Sequence, residues 1–220
     1  MKTQFTVWTT LSFLLITGLP AWAAPWEGHN KSEIVRPRIL VYDQVGIKPG
    51  TLDGAKAVTG EIFRKAGVEL EWMDCSKSST ANKSVCGQPL TFNEIVLLII
   101  RRPKERSSGS GSSTGGHAVR TAPERGNGMI SIFFERTEQI AEHGITFYHV
   151  KIDKAQSIVL GHLIAHEIGH VLLSNGDHSR SGIMKEWLLQ REWMLAVSGH
   201  LQFTREQAEM IRQGVRARSW

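Results

Sequence analysis

Residues 153–173, DKAQSIVLGHLIAHEIGHVLL, decide the fold of this chain. Apolar residues recur in this stretch at the spacing of a helix face: Ile158, Leu160, Leu163, Ile164, Ile168, Val171 and Leu172. This period predicts a helix from Asp153 to Leu173. The stretch is also apolar enough to predict that this helix is the buried central helix of a domain.

Within this helix, the segment His166-Glu167-Ile168-Gly169-His170 carries chemistry. Four residues of a helix advance a side chain by about 400°, so His166 and His170 share a face and can reach one metal ion. Glu167 is offset from His166 by about 100°, where it can serve as a base beside the metal without ligating it. The alternative is a pair of solvated histidines on a surface helix. His162, one turn earlier, is predicted to be a bystander.

His178 is the predicted third metal ligand. It lies eight residues after His170, and Gly176 permits a sharp reversal of the chain that can bring His178 back to the metal. Asp177 is the alternative ligand, since zinc also accepts a carboxylate. Three histidines suit zinc, which would leave Asp177 to orient a ligand from outside the coordination sphere.

The stretch from Gly161 to Met184 resembles the active site of the metzincin group of zinc peptidases. That group has a long helix with the HExxH motif, a glycine turn, a third histidine and a tight turn that carries a methionine beneath the metal. The resemblance implies that His166 and His170 are zinc ligands, that Glu167 is the catalytic base and that Met184 is the turn methionine. The stretch is also similar to exported bacterial zincins that share the strings GHxxAHExGHxLL and HSxxGIM.

The chain departs from the metzincin pattern in the spacing of the third ligand. Leu173 and Gly176 stand where the pattern has glycine and the third histidine. The turn is two residues longer here, so His178 would act as the third ligand from a shifted position.

The resemblance implies hydrolysis by a zinc-activated water, whose proton Glu167 takes and passes to the leaving amine. Some relatives add a tyrosine soon after the turn methionine, but Lys185 and Glu186 stand there in this chain. Tyr148 and His149 are the alternatives for stabilising the oxyanion, and the role stays unassigned.

The remaining pattern predicts an α+β fold. A helix is predicted between Thr51, a candidate N-cap, and Gly67. Helix signals return between Trp187 and Val197, and a last helix begins at Thr204 with Gln207 in capping-box position. A strand–helix–strand start indicates a βαβ unit and a mixed sheet. Strands are predicted from β-forming residues and alternation at Arg38–Tyr42, Val68–Trp72, Leu90–Arg101 and Met129–Phe134.

The resemblance implies a zincin-like arrangement, in which the mixed sheet packs on the central HExxH helix and further helices follow. The strand at Met129–Phe134 would be the edge strand along the cleft, where an extended substrate can pair. Residues 104–128, with the run Ser107–Ser113, are predicted to be a flexible surface loop. Gly115-Gly116-His117-Ala118 is either part of the cleft rim or the end of that loop.

The N-terminal segment predicts export. Lys2 precedes the apolar stretch Phe5–Leu19, and Ala21-Trp22-Ala23 fits signal peptidase. These features predict a signal peptide over residues 1–23 and a mature domain over residues 24–220. A membrane anchor is the weaker alternative, because the apolar run is shorter than the roughly 20 residues that span a bilayer.

The two cysteines agree with export. Cys75 and Cys86 are the only cysteines in the chain. A secreted or periplasmic protein meets an oxidising compartment, so these residues are predicted to form a disulfide.

Composition and charge limit the classes of binding partner that we expect. The chain of 220 residues is 41% hydrophobic and 21% charged, which is typical of a globular protein and not of a disordered one. The net charge of +5 is scattered except for Arg212, Arg216 and Arg218, whose spacing indicates a solvated helix face. We expect a peptide or protein substrate, no nucleic acid, no membrane contact after signal cleavage and a monomer.

Together these features predict an exported Zn²⁺-dependent peptidase. One alternative is a zinc amidase that acts on a non-peptide or cell-wall amide, since the same metal site would serve. A second is a secreted zinc-binding module without activity, against which the intact Glu167 argues. A third is an interaction domain without a metal, for which the histidines and Met184 would be coincidence.

Overall fold

In the computed structural model, the described residues form an α+β fold with a mixed five-stranded sheet and five helices. They all belong to one compact unit, Ile34–Trp220. The described ranges are 36–76, 85–101, 115–122, 127–144, 150–173 and 178–217. Outside them lie the predicted signal peptide, the Ser107–Ser113 run, and Tyr148, His149, Gly176, Asp177 and Arg218.

The sheet has the strand order β2-β1-β3-β5-β4. β4 is antiparallel to β5, and the other neighbours are parallel. The predicted βαβ start and the mixed sheet are therefore confirmed. In chain order the elements are β1 (Arg38–Asp43), α1 (Pro49–Lys65), β2 (Glu71–Asp74), β3 (Glu94–Ile100), β4 (Gly116–Ala122), β5 (Asn127–Phe133), α2 (Phe134–Gly144), α3 (Ile152–Leu172), α4 (Gln190–Val197) and α5 (Arg205–Ala217).

The sequence prediction is wrong at one edge of the sheet. β4 lies inside residues 104–128, which were expected to be a flexible loop. β4 is also the edge strand, whereas the strand predicted at Met129–Phe134 is β5 and lies between β3 and β4. The physical reason is burial: Ile130 and Ile132 are fully buried and favour an interior strand, whereas the small and polar residues of β4 suit an edge.

Element boundaries differ from the prediction near α1. The helix begins at Pro49 with Lys48 as N-cap, so Thr51 is not the cap. Proline is favoured in the first helical turn, because it needs no hydrogen bond there. Val68 belongs to the turn after α1, where its amide donates to the Phe63 carbonyl at 2.9 Å, and β2 starts three residues later than expected.

The helices after the central one agree more closely. α5 begins after Thr204, and the predicted capping box is confirmed: the Gln207 amide donates to Thr204 Oγ1 at 3.2 Å, and the Thr204 amide donates to Gln207 Oε1 at 2.9 Å. Trp187–Leu189 precede α4 rather than belonging to it. α2 was not predicted.

The central helix α3 is buried along nearly its whole length. It packs closely on α1 at Gly161, where an added Cβ would lie 2.7 Å from the Val58 side chain and 2.8 Å from the Ala55 carbonyl oxygen. The Thr59 hydroxyl lies 2.9 Å from the Gly161 carbonyl and donates across the same contact. α3 therefore has a rigid support on the side of α1.

The predicted disulfide is confirmed. Cys75 and Cys86 are bonded, with their Cα atoms 5.5 Å apart. The bridge is anchored to the sheet, because the Cys75 amide donates to the Val41 carbonyl of β1 at 2.7 Å. Among the described residues, no helix is both long and apolar enough to cross a bilayer.

Candidate metal centre

Three histidines meet at the end of α3. His166 and His170 come from the helix, and His178 comes from the chain beyond it. One ring nitrogen of each lies within 4.8 Å of the others, an arrangement able to hold a metal ion. His166 Nε2 and His170 Nε2 are 3.0 Å apart. Zinc bonded tetrahedrally at 2.0–2.1 Å would need about 3.3 Å between two nitrogens, so the pair fits such an ion.

The protonation state of His166 is the one that a metal ligand requires. Its Nδ1 lies 2.7 Å from the Ile183 carbonyl oxygen. That oxygen can only accept, so Nδ1 carries the hydrogen and Nε2 keeps its lone pair for the metal. Burial lowers the pKa of His166 to about 4, and the nearby His170 and His178 add to this shift. His166 is therefore neutral at physiological pH.

The carbonyl that orients His166 belongs to a tight turn after His178. The Ser179 amide donates to the Met184 carbonyl at 2.8 Å and closes the turn. Gly182 has a φ of +73°, which glycine adopts without strain. Met184 is fully buried, and its Sδ lies against Gly169, where no Cβ would fit. The turn therefore both orients a ligand and forms a floor below the helix.

The same turn is tied to α5. The Gln207 side-chain amide donates to Ser179 Oγ at 2.8 Å. The Ser179 hydroxyl in turn donates to the Ser181 carbonyl at 2.6 Å. Ile183 is also held, because its amide donates to the Gln202 carbonyl at 3.0 Å. The residue next to His178 is thus fixed from outside the metal site.

Glu167 is buried beside the three histidines and under the edge strand. Its exposed fraction is 6%, and an added Cβ on Gly116 would lie 2.7 Å from Glu167 Oε1. Burial raises the pKa of Glu167 to about 8. A nearby cation would favour the carboxylate and oppose that shift. A metal on the histidines would therefore also prepare Glu167 as a base.

A cleft of about 400 Å³ opens in front of these residues. The predicted stretch Gly115–Ala118 lines it, which places this stretch on the cleft rim. The other lining residues are Arg136, Ile140, Leu163, His166, Glu167, His170, His178, Lys185, Glu186, Trp187, Leu188 and Trp193.

His162 is separate from the cluster, as predicted. It is 2% exposed, its Nδ1 lies 2.8 Å from the Ile158 carbonyl, and its ring packs edge-on against Trp193. Asp177, the alternative ligand, lies outside the described residues, as do Tyr148 and His149. The structure thus brings His166, His170 and His178 together, as expected.

Sequence reasoning missed Arg136 and Trp193 as cleft residues. Arg136 comes two residues after the predicted strand Met129–Phe134, and no spacing in the sequence links it to the histidines. Comparison of the chain with protein-family models, curated proteins and solved structures finds no match. The functional argument therefore rests on the geometry of this site.

Proposed function

We propose that this protein is an exported zinc-dependent peptidase of the metzincin type, with a zincin-like fold. The observation that carries the proposal is the convergence of His166, His170 and His178 on one point, with Glu167 beside them in an open cleft. A purely structural zinc site is closed by four protein ligands. Three histidines at the wall of a cleft leave room for a water and a substrate.

Each residue has a defined task in the proposed reaction. His166, His170 and His178 hold the ion, and the Ile183 carbonyl keeps His166 oriented. When bound, zinc lowers the pKa of a coordinated water towards about 7 and polarises a carbonyl oxygen. Glu167 takes the proton of the attacking water on its carboxylate and returns it to the leaving amine.

The edge strand supports a peptide as substrate. β4 pairs with β5 on one side and has no strand partner on the other among the described residues. Its first residues line the cleft beside Glu167. An extended peptide can add to such a free edge through backbone hydrogen bonds, which would lay a peptide bond across the histidine cluster. A cell-wall amide without an extended backbone would not use this edge.

Export is part of the proposal. The signal-like segment at residues 1–23 supports it, as does the disulfide between Cys75 and Cys86.

The first experiment measures bound metal. The chain without residues 1–23 is purified, and zinc is counted by elemental analysis in the wild type, His178→Ala and His200→Ala. We expect about one zinc per chain in the wild type and in His200→Ala, since His200 is an exposed histidine outside the cluster. His178→Ala should lose most of the zinc. A folded wild-type protein that binds no zinc would contradict the proposal.

The second experiment measures cleavage of a peptide library. Glu167→Gln should keep its zinc and lose activity by about 10²–10⁴-fold, since it removes only the proton carrier. Equal activity in this variant would show that the cleavage does not come from this site. Zinc binding with hydrolysis of cell-wall amides and no peptide cleavage would favour the amidase instead.

A further inference from the structure

Arg136 lies in the cleft close to the predicted base. It stands in the first turn of α2 and is half-buried. An added Cβ on Gly115 would lie 2.8 Å from Leu163 and 3.6 Å from Arg136 Cγ, so both side chains lie against Gly115, just before the edge strand. Leu163 is one helical turn before Glu167, a rise of about 6 Å. The base of the Arg136 side chain is therefore about one or two peptide residues from Glu167.

The guanidinium of Arg136 has no carboxylate partner among the described residues. It contacts the Gln139 side-chain oxygen at 3.5 Å. The other cation in the cleft, Lys185, is different, because its Nζ lies 2.7 Å from Glu192. The cleft also contains Glu186, which is exposed and not within ion-pair distance of Arg136. Among the described residues that line the cleft, Arg136 is thus a cation without a carboxylate partner, and it is available to a ligand.

The direction of β4 shows which part of a substrate would reach Arg136. Gly115, just before β4, lies beside Leu163, and Gly116, the first residue of β4, lies beside Glu167. Gly128 of β5 pairs with Arg120, further along β4, and lies beside Val171. β4 therefore runs in the same direction as α3. A peptide paired antiparallel to β4, the more stable pairing, runs the opposite way. Its residues after the cleaved bond would lie towards Arg136.

We propose that Arg136 is a specificity-determining residue that binds a carboxylate on the leaving side of the substrate, one or two residues after the cleaved bond. The inference rests on the proposed function and names its substrate class. The carboxylate has two sources: an Asp or Glu side chain, or the free C-terminus of a short peptide. Arginine suits either one, because its planar fork donates two parallel hydrogen bonds to a carboxylate. Ile140 and Leu163 line the same cleft.

The test compares matched peptides built on a sequence that the wild type cleaves. One series carries Glu, Gln or Lys at each of the two positions after the bond, with an amidated C-terminus. A second series ends one or two residues after the bond, with a free or an amidated C-terminus. We expect kcat/KM to be about ten-fold or more higher for Glu than for Gln, or for the free than for the amidated end. The series that shows the preference identifies the source.

Three variants separate specificity from general damage. In Arg136→Gln, kcat/KM should be about equal for the Glu and Gln peptides, or for the free and amidated ends. In Arg136→Glu, kcat/KM should become higher for the Lys peptide than for the Glu peptide. Arg205→Gln removes an exposed arginine at the start of α5 and should keep the wild-type ratio. An undiminished preference in Arg136→Gln, or no preference in the wild type, would overturn the inference while leaving the peptidase intact.

A binding measurement tests the carboxylate site even if the protein cleaves no peptide. Peptides that carry Glu or Gln are titrated into Glu167→Gln protein supplied with zinc, with fluorescence of the cleft residues Trp187 and Trp193 as the signal. We expect the Glu peptide to bind more tightly than the Gln peptide, and this difference to disappear in the double variant Glu167→Gln/Arg136→Gln. That result would support the carboxylate site even if no peptide is cleaved. Equal binding of both peptides counts against the site in every case.

Discussion

At Gly116 the missing side chain lets the edge strand pass directly beside Glu167. An added Cβ would lie 2.7 Å from Oε1 and 2.8 Å from Cγ of that residue. The clash falls on the Glu167 side chain from Cγ to Oε1 and not on backbone, so the carboxylate can move aside while the fold persists. The position of Glu167 thus depends on a residue that belongs to another element and carries no chemistry of its own.

We therefore expect Gly116→Ala to lower kcat about 10–100-fold, because displacing a catalytic group by about 1 Å costs rate of this order. Zinc content and melting temperature should stay near those of the wild type. Gly60→Ala is the matched control: Gly60 lies in α1 with open space around it, so it should keep full activity. Unchanged kcat in Gly116→Ala would show that Glu167 is not confined by the strand.

The histidine cluster could be predicted in part from the sequence. The faces of a helix follow from its period alone, so the spacing of His166 and His170 is enough to pair them. His178 is eight residues after His170, and the sequence does not specify the path of the chain between them, which left Asp177 as the alternative ligand. Arg136 could not be linked to the site, because its approach depends on how β4, α2 and α3 pack.

Among the elements, α4 is joined by one carboxylate to the turn at Ser179–Met184. Glu192 accepts from the Leu189 amide at 3.0 Å and from Lys185 Nζ at 2.7 Å. Burial opposes the ionised form, but the hydrogen bonds from Lys185 and Leu189 outweigh it and hold the pKa of Glu192 below its usual range. The ionised Glu192 thus couples the start of α4 to the residue after Met184.

Glu192→Gln should lower the free energy of unfolding at pH 7 by about 1 kcal/mol, through loss of the ion pair. Because the folded pKa lies below the unfolded one, this stability is present above the unfolded pKa of about 4.3. It is lost as pH falls through the folded pKa, so the two proteins should converge on acidification. Urea unfolding from pH 7 to pH 3 measures this. Glu186→Gln, at an exposed neighbour, is the control with little expected change.

The elements that the sequence analysis missed had weak signals. α2 follows β5 without a break, and its polar sequence hides the buried positions Phe134, Thr137 and Ala141, which do recur at helical spacing. β4 has the composition of a loop, and only pairing with β5 makes it a strand. The strongly periodic α3 and the apolar β3 were predicted within a few residues, because burial and local preference agree there.

For the molecule as a whole, the disulfide and the cleft at the histidine cluster lie next to opposite edges of the sheet. Cys75 follows β2, which is one edge of the sheet, while β4 at the other edge lines the cleft. The bridge joins residues separated by 11 positions and restricts the unfolded chain, which is worth about 3 kcal/mol. Loss of the bridge should therefore lower the free energy of unfolding without affecting metal binding by the folded protein.

Reduction of the bridge, or the double variant Cys75→Ser/Cys86→Ser, should lower the free energy of unfolding by about 2–3 kcal/mol. Zinc content should stay at the wild-type level below the melting temperature. Calorimetry and elemental analysis measure the two quantities. Reductant should have no further effect on the double variant, which controls for other effects of the reagent. Loss of zinc from the folded, reduced protein would contradict the separation.

The hydrogen bond from Gln207 to Ser179 has a consequence for the order of events during synthesis. A ribosome releases the three histidines well before it releases α5, which holds the neighbour of His178 in place. The nascent chain would therefore carry all three histidines while the turn that holds the neighbour of His178 is not yet fixed. Full assembly of the histidine cluster would wait until the last helix has folded, so an incomplete chain would lack the proposed activity.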